Sequence, residues 1–212
     1  MENPEISFEC KCCGTCCGSD LDIYLNTTDI LNLRACLSLP TFEMRDRFYR
    51  TFTLPEYGAY PLCLLSHRDG ACQFLDGKLC SIHPMRPGGC RLFPAVQYFD
   101  SSGEQVYSLG KGYDFCTGVS EGKNIKMSDW LEENDFSIYS GNIEFQKKIG
   151  FLGRIKIDQR IKDGLIEILF DFDSLPEFPY KENYEKEIGS MIEKRDWILS
   201  FADEYVRENV KK

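Results

Sequence analysis

The chain has 212 residues, of which 42% are hydrophobic, 13% aromatic and 28% charged, a globular composition that excludes a fibre, a disordered tail or a multidomain machine. Its net charge is −9, made of −4 over residues 1–116 and −5 over 117–212; no segment gathers Lys and Arg, which argues against nucleic acid and against an anionic membrane surface as partners. No apolar run approaches the ~20 residues of a membrane span, and the most apolar stretch, LIEILF at 165–170, already carries Glu167.

Residues 8–18, FECKCCGTCCG, have neither helical nor strand periodicity and read as a loop punctuated by Gly14 and Gly18. A helix is expected next: Thr27 or Thr28 can N-cap DILNLRACLSL, with Ile30, Leu31, Leu33 and Leu37 on one side and Pro40 as its stop. A second helix is expected from Phe42, capped by Thr41 and ended before Pro55. Strand signals follow in YPLCLLS at 60–66 and in CQFLDGKLCSI at 72–82. In the latter, Asp76–Gly77 marks a hairpin turn, with Cys72 and Cys80 on opposite arms near the open end. MRPGGCRLFP at 85–94 reads as a Pro- and Gly-rich loop, and AVQYF with QVYSLG as a further hairpin about residues 100–103. SDWLEEN, NIEFQKKIGFLGRI and KDGLIEILF are helical. Residues 181–210 form one long helix whose apolar stripe is Tyr184, Ile188, Met191, Ile192, Leu199, Ala202, Tyr205 and Val206. The expected class is α+β. A small cysteine-rich region of short hairpins and two helices fills residues 1–123, and a helical C-terminal region, 124–212, packs on it.

Eleven cysteines are concentrated before residue 117, five of them between Cys10 and Cys17. Disulfides explain that pattern badly. The count is odd, and neighbours such as Cys16 and Cys17 have Cα atoms about 3.8 Å apart, below the usual disulfide range. MENPEISFEC has no basic n-region, apolar h-region or cleavage site, so a reducing, cytoplasmic setting is expected. Cys10-x2-Cys13-x2-Cys16 offers three thiols from one glycine-containing loop, a cradle for a soft or borderline ion. Zinc, Cu(I) and iron–sulfur clusters suit it; magnesium and calcium do not. Cys36, on an apolar helix face, and Cys63, in a strand, read as core residues.

Phe8, Cys10, Cys13, Gly14, Cys16 and Cys17, then Cys72, Phe74, Leu75, Cys80, Ile82, Arg86, Pro87, Cys90, Arg91, Phe93 and Pro94, then Cys116 and Gly118, together resemble the pattern of the CxxCxxCC cysteine-cluster family. That family, also called YkgJ-like, is named for zinc or iron chelation. The resemblance spans about residues 8–123. It implies that Cys10, Cys13, Cys16, Cys17, Cys72, Cys80, Cys90 and Cys116 ligate metal. His83 stands where the family usually has tyrosine. Cys12, Cys36 and Cys63 are additional, and in the first loop Cys12 and Cys13 can each serve. Larger relatives are named as flagellin lysine N-methylases, but this chain shows no glycine-rich loop for the methyl donor. GVSEGKN at 118–124 falls short of a phosphate-binding loop by one residue between its glycines and by its Asn124.

Three cysteines at C-x2-C-x2-C with a distant fourth, and Cys90-x3-Pro94, match the way bacterial ferredoxins hold a [4Fe-4S] cluster. One or two zinc ions held by irregular four-thiolate sets are the alternative. Arg86 and Arg91 flank Cys90 and can offset thiolate charge at the cofactor. His83 is either a ninth ligand, a proton-handling group or a structural residue. The expected function is metal binding in a structural, sensing or electron-transfer role, with a protein or small molecule as partner. The alternative is an enzyme that uses the centre, such as an iron–sulfur oxidoreductase or a relative of the protein-lysine methylases.

Overall fold

A computed structural model describes residues 3–19, 21–53, 61–100, 104–152, 158–180 and 188–209. Among these, eight α-helices and eleven short strands, every strand pair antiparallel, make an α+β chain. No helix among them is long and apolar enough to cross a membrane. The chain divides into two compact units that interleave in sequence: Met1–Ile23 with His67–Ser137, and Tyr24–Ser66 with Ile138–Lys212. This division does not follow a boundary at residue 123, because the segment between the first cysteine loop and His67 clusters with the C-terminal helices.

In the cysteine-bearing unit, β1 (Glu5–Ser7) pairs with β11 (Asn124–Lys126) in the register Ile6↔Ile125, and Ile6 is fully buried. This ladder ties the two ends of the unit together. Two tight hairpins follow: β5 (His67–Arg68) with β6 (Ala71–Cys72), and β7 (Leu75–Asp76) with β8 (Leu79–Cys80). The expected single hairpin over 72–82 is therefore replaced. Cys72 pairs with His67 in the first hairpin, where Asp69 and Gly70 both take positive φ (54° and 78°), the backbone a type I′ turn demands. In the second hairpin the loop is Gly77–Lys78, with Gly77 at φ 61°, and Cys80 lies opposite Leu75. A 3₁₀ turn, His83–Met85, leads into α3 (Gly88–Leu92), so the expected loop at 85–94 is in part a one-turn helix carrying Cys90. Pro87 supplies its N-cap. The hairpin β9 (Ala95–Phe99) and β10 (Gln105–Leu109) follows as expected, then α4 (Thr117–Glu121) and α5 (Met127–Glu133).

The second unit has a three-stranded sheet in the order β2 (Tyr24–Leu25), β4 (Leu62–Leu65), β3 (Tyr49–Phe52). Helix α1 (Thr27–Leu37) is capped one residue before the first of the two expected threonines. Asn26 is its N-cap, and Asn26 and Asp29 exchange side-chain-to-backbone bonds of 3.2 and 2.9 Å in a capping box. It ends at Ser38, which takes the left-handed conformation with φ 54°. Helix α2 (Thr41–Phe48) stops well before Pro55, since the chain passes at Tyr49 into β3 and pairs with β4. Aromatic and β-branched residues favour that pleated, half-buried setting over another helical turn.

Helices α6 (Ser140–Leu152), α7 (Gln159–Phe170) and α8 (Ile188–Asn209) complete this unit, with α1 and α7 both against α8. On α8, Met191, Leu199, Ala202 and Val206 are buried as the stripe predicts, and Ile198 joins them at 0% exposure. Tyr184 lies outside the described residues. Lys194 and Arg195 are buried on the same helix, widening the inner face past an apolar stripe. Arg34 is 2% exposed and grips Asp173 through two bonds of 2.7 and 2.8 Å. Tyr49 donates to the Phe170 carbonyl at 2.7 Å.

Candidate metal centre

Two backbone ties draw the first cysteine loop onto the later cysteines. The Cys72 N–H donates to the Cys17 carbonyl at 2.7 Å, and the Glu9 N–H donates to the Gly118 carbonyl at 3.0 Å, two residues past Cys116. A Cβ at Gly118 would lie 2.3 Å from the Glu9 oxygen, so this approach requires glycine and accounts for the Cys-x-Gly spacing. Gly14 works likewise on the other side of the loop. It has φ 75°, and a Cβ there would stand 3.0 Å from the Lys78 carbonyl oxygen, which seats the loop against the β7–β8 turn. Below the loop, the Phe8 ring meets Phe93 and Trp130 edge-on at 5.5 and 5.4 Å. The Trp130 Nε1–H donates to the Leu92 carbonyl at 3.2 Å. Phe8 precedes Cys10 by two residues and Phe93 follows Cys90 by three, so one aromatic cluster anchors both cysteine segments.

Residues 14–18 turn back on themselves through a Gly18 N–H to Gly14 carbonyl bond of 2.8 Å. An extended backbone would send Cys16 and Cys17 to opposite sides; the turn instead places their Sγ atoms 3.9 Å apart. The two sulfurs share a hydrogen bond, which brings the Cys16 pKa down to about 6 while pushing Cys17 up, with burial adding to the rise. Cys17 also feels the charges of Cys72 and Cys90, and Cys72 those of Cys80 and Cys16. Cys13 lies 3.1 Å from the Thr15 hydroxyl, whose hydrogen bond lowers its pKa. Charges from the β5–β6 hairpin and from α3 thus reach the first loop, and charge from the β7–β8 hairpin reaches Cys72, while the group of three ligand atoms within 4.8 Å of one another among the described residues is Cys10, Cys12 and His83. Cys116 is buried at the N-cap of α4, brought in by the Gly118 tie. Cys63 is buried in β4 and Cys36 lies on α1, both in the other unit.

Arg86 lies among these thiols. Burial and then Arg91 draw its pKa down, while charges at Cys10, Cys90 and Cys80 act in the opposite sense. Its guanidinium donates to the His83 carbonyl at 3.1 Å and to Asn134 Oδ1 at 3.0 Å. Arg91, 9% exposed, donates to the backbone carbonyls of Arg86 and Pro84 at 3.1 and 2.6 Å, so those bonds brace the turn that holds Arg86. The two arginines divide the work expected of both. Cys12 and Cys13, interchangeable by spacing, are separated by the fold. Cys13 goes to Thr15, whereas Cys12, with φ 49°, stands with Cys10 and His83, their ligand atoms all within 4.8 Å of one another. Burial, then Arg86 and Arg91, lower the His83 pKa, favouring the neutral imidazole that can ligate a metal. Thr15 and Asn134 were not singled out from the sequence; the two-residue step from Cys13 to Thr15 is the only local signal of either.

A family model described as "CxxCxxCC: Putative zinc- or iron-chelating domain" matches residues 9–117, slightly more than half of the chain. The chain belongs to the CxxCxxCC family. No solved structure matches it. The matched span begins one residue before Cys10 and ends one residue after Cys116, and within it the structure gathers soft sulfur donors beside a permanent cation. That donor chemistry fits zinc or iron, since thiolates are ligands for both and Arg86 offsets their surplus charge. The CxxCxxCC unit is a metal-binding unit.

Proposed function

We propose that Cys10, Cys13, Cys16, Cys17, Cys72, Cys80, Cys90 and Cys116 hold a thiolate-ligated metal centre that cross-links the segments of the cysteine-bearing unit. The role is structural or sensing. The observation that carries this reading is the 3.9 Å between the Sγ atoms of Cys16 and Cys17. In a tetrahedral site with metal–sulfur bonds of ~2.3 Å, two ligands stand about 3.8 Å apart, so the pair suits one shared ion, zinc or a single iron, which takes four of the eight thiolates and leaves four for a second ion of the centre. A second reading rests on the spacing Cys10-x2-Cys13-x2-Cys16, which favours a [4Fe-4S] cluster with one more distant cysteine. Zinc supplies a redox-silent cross-link, and an iron–sulfur cluster supplies one-electron transfer.

Metal, iron and acid-labile sulfide analysis of anaerobically purified protein separates the two. Metal without sulfide is expected from the shared-ion reading: a colourless protein if the ion is zinc, a red one if it is a single iron. A brown protein with iron and sulfide in near-equal amounts establishes the cluster. In either case Cys16→Ser should lose tightly held metal, while Cys36→Ser and Cys63→Ser should retain it. A Cys16→Ser protein with its full metal content overturns the proposed centre.

A further inference from the structure

Cys12 and His83 lie outside the eight cysteines proposed for the centre. They are 71 positions apart in sequence, yet the fold brings both to one point beside Cys10, with the two sulfurs and a ring nitrogen all within 4.8 Å of one another. Cys10 and Cys12 are exposed, whereas Cys16, Cys17, Cys72, Cys80 and Cys90 are half-buried. The position of each is fixed by backbone geometry. Cys12 takes a left-handed φ of 49°, an uncommon conformation for a residue with a side chain, and His83 opens a 3₁₀ turn whose carbonyl accepts bonds from the Arg86 N–H and guanidinium.

We propose that Cys10, Cys12 and His83 form a second metal site, open to solvent, that takes Zn²⁺ or another borderline divalent ion and exchanges it readily. Three ligands with sulfur, sulfur and nitrogen donors are the set of a zinc site with an open fourth position, where water or an incoming ligand binds. Zinc–sulfur and zinc–nitrogen bonds of 2.0–2.3 Å put ligand atoms about 3.5–3.8 Å apart, so exposed side chains close on an ion by moving about an ångström. On binding, Cys12 releases one proton to solvent, Cys10 bridges as the thiolate it already is when the central site is loaded, and His83 ligates as the neutral ring. The proposal rests on the cysteine-centre reading in one respect. Cys10 belongs to both sets, so an ion held here is one ligand away from the centre and this site is an entry point to it.

The test uses full-length protein as isolated, passed over a mild chelating resin to remove labile ions and then titrated with Co²⁺, whose thiolate complexes absorb visible light. Wild type should take up one further ion per chain with a thiolate charge-transfer band. Cys12→Ser and His83→Tyr should each weaken that uptake at least tenfold, about 1.4 kcal/mol, and His83→Cys should restore it. The tightly held metal should stay at its wild-type amount in all three. Absence of the further ion in wild type, or uptake that neither variant alters, overturns the proposal. Loss of the tightly held metal in Cys12→Ser and His83→Tyr also overturns it, by making both residues ligands of the central site. Failure of the central reading shows separately, as a Cys16→Ser protein that keeps its tight metal, and leaves the cobalt titration still to be read on Cys12 and His83.

Discussion

Cys16 and Cys17 are joined by a single peptide bond and yet have opposite chemistry, because the hydrogen bond between their sulfurs favours the thiolate at Cys16 and the thiol at Cys17. With its pKa near 6, Cys16 is a thiolate at neutral pH in the metal-free protein, and the thiolate is the reactive form. Alkylation at Cys16 itself, mapped by mass in metal-free, reduced protein, is therefore expected to rise with pH through about 6 and then level off, while alkylation at the exposed Cys10 goes on rising at higher pH. A rate at Cys16 that climbs steadily through pH 8 to 9 in wild type would show that the hydrogen bond between the two sulfurs does not form. Cys63 is the opposite case. It is 1% exposed, and burial raises its pKa well above the usual thiol value. Mass mapping should find it unmodified until the protein unfolds.

Close approach between elements sets where glycine is indispensable. At Gly118 an added Cβ meets the Glu9 carbonyl oxygen, a backbone atom that cannot swing aside. Gly118→Ala should push the Cys10 loop away from Cys116, with a cost of about 1–3 kcal/mol and a drop in bound metal, read by melting and by metal content. Gly164 on α7 offers a contrast. Its Cβ would meet the ring end of the half-buried Tyr205 side chain, which can rotate, and alanine is favoured over glycine inside a helix by about 1 kcal/mol. Gly164→Ala should therefore change the melting temperature little. Equal losses in the two variants would contradict this distinction between backbone and side-chain obstruction.

The two compact units differ in what holds them. The Tyr24–Ser66 and Ile138–Lys212 unit has its own apolar core, with Ile30, Leu33, Leu65, Ile149, Leu165, Leu169 and Ile198 almost fully buried, and a buried ion pair at Arg34 and Asp173. Asp173→Asn leaves the Arg34 charge without its counter-ion and should cost about 3–5 kcal/mol, measured by denaturant unfolding. The cysteine-bearing unit is made of two- to five-residue strands and one-turn helices beside one longer helix, elements too short to persist alone. Metal removal with a strong chelator should therefore raise hydrogen exchange across the first loop, β5 to β8 and α3, while α7 and α8 keep their protection. Unchanged exchange in the cysteine-bearing unit after complete metal loss would mean that the metal does not hold it together.

Residue type and spacing were enough to reveal a thiol-rich metal site. Cysteine chemistry does not depend on fold, and Cys10-x2-Cys13-x2-Cys16 places three candidate donors in one short loop. The β9–β10 hairpin, α1 and most of the α8 stripe were also legible, because each follows from local turn chemistry or hydrophobic period. What lay beyond the sequence depends on contacts between distant residues. Both turns form, and whether Cys72 shares a hairpin with Cys80 or with His67 is decided by how far pairing extends from each: Asp69–Gly70 closes His67 onto Cys72, and pairing about Gly77–Lys78 stops at Leu75 and Cys80. Asp69–Gly70 and Asp76–Gly77 are alike as letters. Whether residues 24–66 belong with the cysteines or with the C-terminal helices depends on which apolar faces find each other across more than a hundred residues. Cys12 and Cys13 are equivalent by spacing, and only the folded loop sends one to Thr15 and the other to Cys10 and His83. Local chemistry thus named the candidate donors, and tertiary packing decided which of them stand close together, since that is set by separations of a few ångströms between chain segments that sequence order does not encode.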